Sequence, residues 1–186
     1  TLRRALAAVP GIRLLVIAPD GNRSAMARMI TTRKPLWVQE TTFEDGTIGR
    51  WLEEAETVFR QVSRGPQIIV GSSMGGHIAL TLLKRLQKEA PAEARRIAAL
   101  VLIAPAWDMT EELMWTQFPA EAKRQLLENG VYHEPSQYGE PYTITRNLIE
   151  DGRRHLLARE PFDPGRPILI LQGLQDQDVP AAHVRE

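Results

Sequence analysis

Residues 68–80 read IIVGSSMGGHIAL and contain the transition that decides the fold. A run of β-branched residues ends at Gly71, two serines follow, and a glycine pair precedes an apolar pattern with helical spacing. Short apolar runs bounded by glycine are typical of buried strands, and spacing by three and four is typical of helices. This stretch therefore predicts a strand, a tight turn at Ser73 and a helix.

The turn fits the G-x-S-x-G pattern, with Gly71, Ser73 and Gly75 at its fixed positions. In that pattern the serine occupies a strained strand-to-helix turn, and flanking glycines remove the clash that side chains would make with the backbone. The following helix directs its N-terminal N–H groups toward the same place. Ser73 is therefore a candidate nucleophile. The alternative is a plain corner with a solvated serine.

Composition limits the classes of protein to consider. The 186 residues are enough for one domain with a substantial core, and 23 basic residues balance 23 acidic ones. We therefore expect no nucleic-acid partner. The chain has no cysteine, which excludes disulfides and thiolate catalysis, and no apolar run approaches the roughly 20 residues that span a bilayer. We expect a cytoplasmic protein without a membrane span.

Four apolar runs alternate with helical patterns along the chain. Residues 12–18, 67–70, 97–104 and 167–171 read as strands, and the helical patterns include residues 48–62. Alternation of this kind predicts βαβ units. We expect one α/β domain over residues 1–186, with three layers and an open, mostly parallel sheet. Residues 35–38, which begin with proline, are predicted as a short edge strand.

About sixty residues separate the third and fourth predicted strands, more than a simple crossover needs. We interpret residues 106–165 as a small helical cap over the carboxyl edge of the sheet, where ligands bind in such folds. One helix has Pro119 in its first turn and Gly130 after its end, and a second covers residues 144–157. Trp107 and Trp115 are predicted to wall an apolar pocket over Ser73, with packing in the cap as the alternative.

A serine nucleophile needs a base, and the base needs an acid to orient it. Residues 172–180 read QGLQDQDVP and resemble the G-x-x-D-x-x-V-P turn that carries the acid in α/β-hydrolases. The resemblance makes Asp176 the candidate acid, and the order of serine before acid is that of the family. Taken alone, Asp176 would be a turn residue.

None of the four histidines stands where an α/β-hydrolase carries its base. His77 lies one turn past Ser73, where it can line the substrate pocket but is poorly aimed; the others are His133 in the cap, His155 in a basic stretch and His183 just after the acid turn. In α/β-hydrolases the histidine follows one more strand. We therefore expect the catalytic histidine beyond Glu186, weak or absent ester hydrolysis by this chain, and recovery on C-terminal extension.

Residues 43–186 resemble α/β-hydrolases of the palmitoyl-protein thioesterase type. The segments that carry the resemblance are FEDGTIGRW (43–51), VGSSMGG (70–76), PYTITR (141–146), LIEDGRRH (148–155) and the Asp176 turn. The resemblance implies Ser73 as nucleophile, Asp176 as acid and the Met74 backbone N–H as an oxyanion donor. It also implies acyl ester or thioester substrates, an acyl-enzyme, and neither metal nor cofactor.

Residues 1–40 differ from the rest, residues 41–186. The segments APDGNRS (18–24) and TTRKPLWV (31–38) resemble SurE-type nucleoside monophosphate phosphatases, in which the serine matching Ser24 ligates a metal beside an Asp-Asp pair that is absent here. The segment GNRSAM (21–26) has a weaker likeness to the hydrolases, and there Asn22 would supply the second oxyanion N–H. We interpret the chain as a fusion of two coding segments.

Three functions therefore stay open. The first is a serine hydrolase that lacks its histidine, and the second is a fragment of a metal-dependent phosphatase. The third is an α/β scaffold without activity, because loss of the triad histidine alone costs about 10⁶ in kcat in subtilisin, a reference system for such knockouts. The sequence predicts no oligomeric state.

Overall fold

The computed structural model describes residues 13–20, 23–30, 35–38, 45–135, 141–157 and 161–185. The strands are β1 (Arg13–Asp20), β2 (Arg23–Ile30), β3 (Pro35–Val38), β4 (Gln67–Ser72), β5 (Ile97–Ile103), β6 (Val131–Glu134), β7 (Tyr142–Thr145) and β8 (Ile168–Leu171). The α-helices are α1 (Ile48–Thr57), α2 (Met74–Glu89), α3 (Pro91–Ala94), α4 (Ala120–Asn129), α5 (Arg146–Gly152) and α6 (Ala181–Arg185).

Six strands form the main sheet, in the order β3-β2-β1-β4-β5-β8. β1, β4, β5 and β8 run parallel to one another, so the four predicted apolar strands are neighbours as expected. β2 is antiparallel to both β1 and β3, and β3 lies at the edge. The α/β class, the parallel core and the proline-led edge strand are thus confirmed.

Helix α2 fills the space over the centre of the sheet because nearly every residue of its first half is apolar. Ile78, Leu82, Leu83 and Leu86 are fully buried there and pack in the main core. α1 contributes Trp51 to the same core and continues after Thr57 as a π-helical turn, Val58–Val62. No helix in the described ranges is long and apolar enough to cross a membrane.

The segment between β5 and β8 builds a second, smaller core. It contains a π-helical turn (Thr110–Trp115), α4, the antiparallel pair β6–β7 and α5. α4 follows Pro119 and ends at Gly130, whose φ of 78° is the left-handed conformation that glycine adopts freely. The buried members of this cap core are Phe118, Ala122, Leu126, Ile144 and Ile149.

The prediction of a helix over residues 144–157 is wrong at its start. Ile144 lies in β7 and pairs with Tyr132 of β6, and the helix begins only at Arg146. Residues 143–145 are all β-branched and alternate between polar and apolar, which favours a strand. Thr145 then caps α5 by accepting the Leu148 N–H at 3.1 Å. The cap is therefore a mixed unit with a hairpin.

Contacts place the cap beside the carboxyl ends of the strands. Asp108, five residues after β5, accepts the Leu157 N–H at 2.7 Å, and the Gly49 N–H at the start of α1 donates to Asp151 of α5 at 2.7 Å. Burial raises the pKa of Glu134 in β6, and the nearby carboxylate of Asp178, in the turn after β8, raises it further.

Two adjacent leucines of α4 test whether the cap core stabilises the fold. Leu126 is 0% exposed and Leu127 is 55% exposed. We expect Leu126→Ala to lower the free energy of unfolding by about 2–5 kcal/mol, because it leaves a cavity, and Leu127→Ala to change it by less than ~0.5 kcal/mol. Urea unfolding monitored by tryptophan fluorescence measures both. Equal losses in the two variants would contradict a packed cap core.

Candidate functional site

Ser73 forms the single-residue turn between β4 and α2, in a conformation that few residues adopt. Its φ is 51° and its ψ is −123°. Among the described residues that are not glycine, positive φ occurs at Ser73, Ala104 and Asp108. Such conformations cost about 1–3 kcal/mol each and persist only where the surroundings enforce them. The three residues follow two adjacent strands, so the strain is concentrated at one corner of the sheet.

The glycines around Ser73 allow two backbone segments to touch. A Cβ at Gly71 would lie 2.5 Å from the carbonyl oxygen of Gly75, and a Cβ at Gly76 would lie 2.7 Å from the Cβ of Pro105. Both distances are too short for any side chain. Gly71 therefore permits the tight turn itself, and Gly76 permits the chain after β5 to pack on α2.

Backbone hydrogen bonds hold the Ser73 turn from two sides. The Ser73 N–H donates to the Ile103 carbonyl at 2.9 Å, and the Ser73 carbonyl accepts the N–H groups of Gly76 at 2.8 Å and Ala106 at 3.1 Å. The side chain of Ser73 is half-buried. The turn is thus fixed jointly by its own helix and by the segment that follows β5.

The structure describes Met74, one of the two residues expected to donate to an oxyanion. Met74 is the first residue of α2, and the N–H groups of a first helical turn have no acceptor within the helix. Its N–H adjoins Ser73 at the positive end of the helix dipole, which favours negative charge. Asn22 lies outside the described residues.

Asp176 lies in the turn after β8, at the sheet edge where Ser73 emerges. The register pairs Ser72 with Ile103 and Ile103 with Leu171, which separates β4 and β8 by two strand spacings, roughly 10 Å. One carboxylate oxygen of Asp176, Oδ1, accepts the N–H groups of Asp178 at 3.1 Å and Val179 at 2.9 Å. In the described part of the chain, no residue donates to Oδ2.

His77 is buried, and its place in the lining of the substrate pocket stays a prediction. It is 2% exposed, its Nδ1 accepts the Asp108 N–H at 3.1 Å, and the Asp108 carboxylate lies 3.7 Å away. Burial lowers the pKa of His77 to about 4, although Asp108 opposes the shift, so the ring is neutral at pH 7. The residue faces the segment after β5 because that segment packs directly on the first turn of α2.

The other three histidines also have partners away from Ser73 and Asp176. His155 lies 3.7 Å from Asp151, and burial lowers the pKa of its ring. His133 Nδ1 is 3.4 Å from the Thr143 hydroxyl, and His183 Nε2 is 2.9 Å from the Trp107 carbonyl oxygen. The expectation that the base lies beyond Glu186 stays a prediction.

The two tryptophans expected over Ser73 lie in different surroundings. Trp107 donates its indole N–H to the His183 carbonyl at 3.2 Å, and its ring lies 5.9 Å from the His183 ring, so it ties the segment after β5 to α6. Trp115 packs against the cap core, with the Arg153 guanidinium 4.8 Å from its ring centre. Trp115 thus packs in the cap, which is the alternative that the sequence left open.

Sequence reasoning missed Asp108 and Asp151, two buried carboxylates that join the cap to the core. Burial opposes ionisation of Asp151, but hydrogen bonds from Arg154 and the Gly49 N–H outweigh it and lower its pKa. Asp108 adopts φ 53°, which aspartate tolerates better than most residues. The sequence offered one signal for Asp108, which is an aspartate that follows soon after a predicted strand.

The metal site expected of the phosphatase alternative has no counterpart in the described ranges, where no group of three or more histidine, aspartate or glutamate side chains could hold an ion. Most of the segment with that resemblance has no described side chains. The comparisons with known proteins give no support to a SurE-type segment or to a fusion. Both stay interpretations of residues 1–40.

Among proteins of known identity, the chain is similar to palmitoyl-protein thioesterase ABHD10, mitochondrial. It is 32% identical to the Homo sapiens protein over 139 residues and 33% identical to that of Pongo abelii over 139 residues. Each match covers 74% of this chain and 43% of the relative. The chain thus spans less than half the length of the curated relatives that it matches.

Two solved structures share the fold. A putative hydrolase from Agrobacterium vitis S4 is 42% identical, with a TM-score of 0.75 over 80% of this chain and 57% of that one. The α/β hydrolase domain-containing protein 10 from mouse is 24% identical, with a TM-score of 0.68 over 95% of this chain and 74% of that one. A family model described as the alpha/beta hydrolase fold matches residues 30–150, well over half of the sequence. The chain therefore belongs to the α/β-hydrolase family.

Proposed function

We propose that the chain is a serine hydrolase that cleaves acyl esters or thioesters through an acyl-enzyme on Ser73. The observation that carries the proposal is the conformation of Ser73, with φ 51° on a one-residue turn between a buried strand and a buried helix. A fold keeps such strain where a side chain must be presented in one orientation. The G-x-S-x-G pattern and membership of the α/β-hydrolase family support the same role.

In the proposed reaction the Ser73 hydroxyl oxygen attacks the acyl carbonyl carbon while a base removes its proton. The Met74 N–H then donates to the developing oxyanion, and the thiol or alcohol leaves with that proton. Water attacks the acyl-enzyme in the second half of the reaction and releases the acid. An oxyanion donor must be in position before the reaction begins, and the first turn of α2 holds the Met74 N–H in place.

Asp176 is proposed to orient the imidazolium that forms during the reaction. The two backbone N–H groups on Oδ1 fix the plane of the carboxylate, and Oδ2 can accept from an imidazole N–H. β5 lies between β4 and β8 in the sheet, and an imidazole is proposed to bridge Ser73 and Asp176 at the edge where these strands end. In the described part of the chain, the hydrogen bonds and ion pairs of the four histidine rings go to residues other than Ser73 and Asp176, so none of these rings is assigned as the base.

The proposed substrates are fatty acyl thioesters. The curated relatives are named as palmitoyl-protein thioesterases, and a thioester places its acyl chain beside the attacking serine. The cap is proposed to cover such a chain, since it meets the carboxyl edge of the sheet where the Leu157 N–H donates to Asp108. The location of the protein in the cell is proposed to be cytoplasmic.

The two neighbouring serines provide a matched test of the nucleophile. With imidazole added as the base, we expect a fluorophosphonate probe to label the chain, Ser73→Ala to abolish the labelling, and Ser72→Ala to keep it within about threefold. Ser73 occupies the strained turn, with φ 51°, whereas Ser72 is the last residue of β4. Mass spectrometry of the labelled peptide measures the site. Label on any other residue, or none on the wild-type chain, would contradict the proposal and favour a scaffold without activity.

Imidazole in solution tests the gap between Ser73 and Asp176. We expect slow p-nitrophenyl ester turnover by the chain and an increase with added imidazole of ~10-fold or more, because a general base contributes about 10²–10⁴-fold when it is positioned. Asp176→Asn should remove most of this increase and Asp178→Asn should keep it. Initial rates against imidazole concentration give the result.

Two outcomes would count against this arrangement. Equal rescue in Asp176→Asn and Asp178→Asn would leave Asp176 a turn residue. Fast turnover without imidazole that His183→Ala abolishes would identify a base within the chain.

A further inference from the structure

The segment after β5 contains two residues with positive φ, and it contacts the Ser73 turn, which contains a third. We call residues 104–108 the β5 loop. It begins at Ala104, with φ 44°, and ends at Asp108, with φ 53°. Positive φ is unfavourable for alanine, and aspartate tolerates it better than most residues, so Ala104 above all needs partners to keep this shape. The partners of the loop therefore decide whether its backbone stays where Ser73 needs it.

The middle of the β5 loop contacts the Ser73 turn directly. The Ala106 N–H donates to the Ser73 carbonyl at 3.1 Å, and Pro105 packs where a Cβ of Gly76 would be. The start of the loop is tied to the sheet, since the Ala104 N–H donates to the Leu171 carbonyl at 2.8 Å. A shift of the loop would thus remove one of the hydrogen bonds that hold the Ser73 turn.

The far end of the β5 loop depends on His77. The Asp108 N–H donates to His77 Nδ1, and the Asp108 carboxylate accepts the Leu157 N–H. Both side chains are 2% exposed, so no water competes for these contacts. Through Asp108, His77 is connected to Leu157 of the cap. An imidazole on α2 therefore joins the helix of the Ser73 turn, the β5 loop and the cap.

We propose that His77 and Asp108 are positioning residues for Ser73. Their contact holds the β5 loop in its left-handed conformation, and the loop in turn holds the Ser73 carbonyl and the first turn of α2. This inference rests on the proposed function of Ser73 and assigns neither residue a contact with substrate. If the two residues only stabilised the cap, they would make the same contacts, but their loss would leave the reactivity of Ser73 unchanged.

Variants of His77 separate these two roles. In His77→Asn the side-chain oxygen can still accept from Asp108, whereas His77→Leu has no acceptor. Thr81→Val is the matched control, because the Thr81 hydroxyl donates to the His77 carbonyl at 2.8 Å within α2 and Thr81 is itself buried. It removes a buried hydrogen bond of the same helix without touching the β5 loop.

The first readout is the reaction of Ser73 with the fluorophosphonate probe and with a p-nitrophenyl ester in imidazole. We expect His77→Leu to lower the labelling rate and kcat by ~10- to 100-fold with KM changed less than about twofold, since small misplacements have such effects. His77→Asn should recover to within about threefold of wild type, and Thr81→Val should match wild type. If His77→Leu and Thr81→Val react alike at equal melting temperatures, the positioning role is wrong.

The second readout does not depend on activity. Hydrogen exchange followed by mass spectrometry reports the Ala106 amide, which is protected by its bond to Ser73. We expect His77→Leu to lose that protection and Thr81→Val to keep it. Unchanged protection in His77→Leu would overturn the inference, whatever the probe shows. If the wild-type chain is not labelled at Ser73 but His77→Leu loses protection, the proposed function fails while the coupling of His77 to the loop stands.

Discussion

The close approach of two backbone segments is the constraint on which the rest of the structure depends. The β5 loop packs on the first turn of α2 because Gly76 has no Cβ to meet Pro105, and Gly71 allows the turn after β4 to close against Gly75. The hydrogen bond from Ala106 to the Ser73 carbonyl closes the contact. The strain at Ser73 is therefore stabilised by tertiary packing, since the sequence of the turn alone does not enforce it.

The parallel sheet places the candidate groups together. Each of β4, β5 and β8 ends at the same edge, so their following residues bring Ser73, the β5 loop and Asp176 side by side. The cap reaches the same edge through the hydrogen bond from the Leu157 N–H to Asp108. The strands thus set the spacing of the proposed site, and the buried carboxylate of Asp108 holds the cap beside it.

Much of this fold follows from local sequence, and much of the site does not. Apolar runs predict the four parallel strands, and glycine spacing predicts the Ser73 turn, because both depend on neighbouring residues. The contact of His77 with Asp108 joins residues 31 positions apart and depends on a left-handed aspartate, so no local pattern encodes it. The β6–β7 hairpin was missed because a four-residue strand has a weak signal, and the sequence left both alternatives open for Trp115 because a pocket wall and the cap core are both apolar.

The most direct test of the account is the labelling rate of Ser73 in Gly76→Ala. The added methyl group would meet Pro105 and push the β5 loop away from the turn, without changing any group proposed to act in the reaction. The account predicts a chain that still folds but whose Ser73 reacts with the fluorophosphonate probe ~10-fold or more slowly than wild type. A folded Gly76→Ala chain that is labelled at Ser73 at the wild-type rate would contradict it.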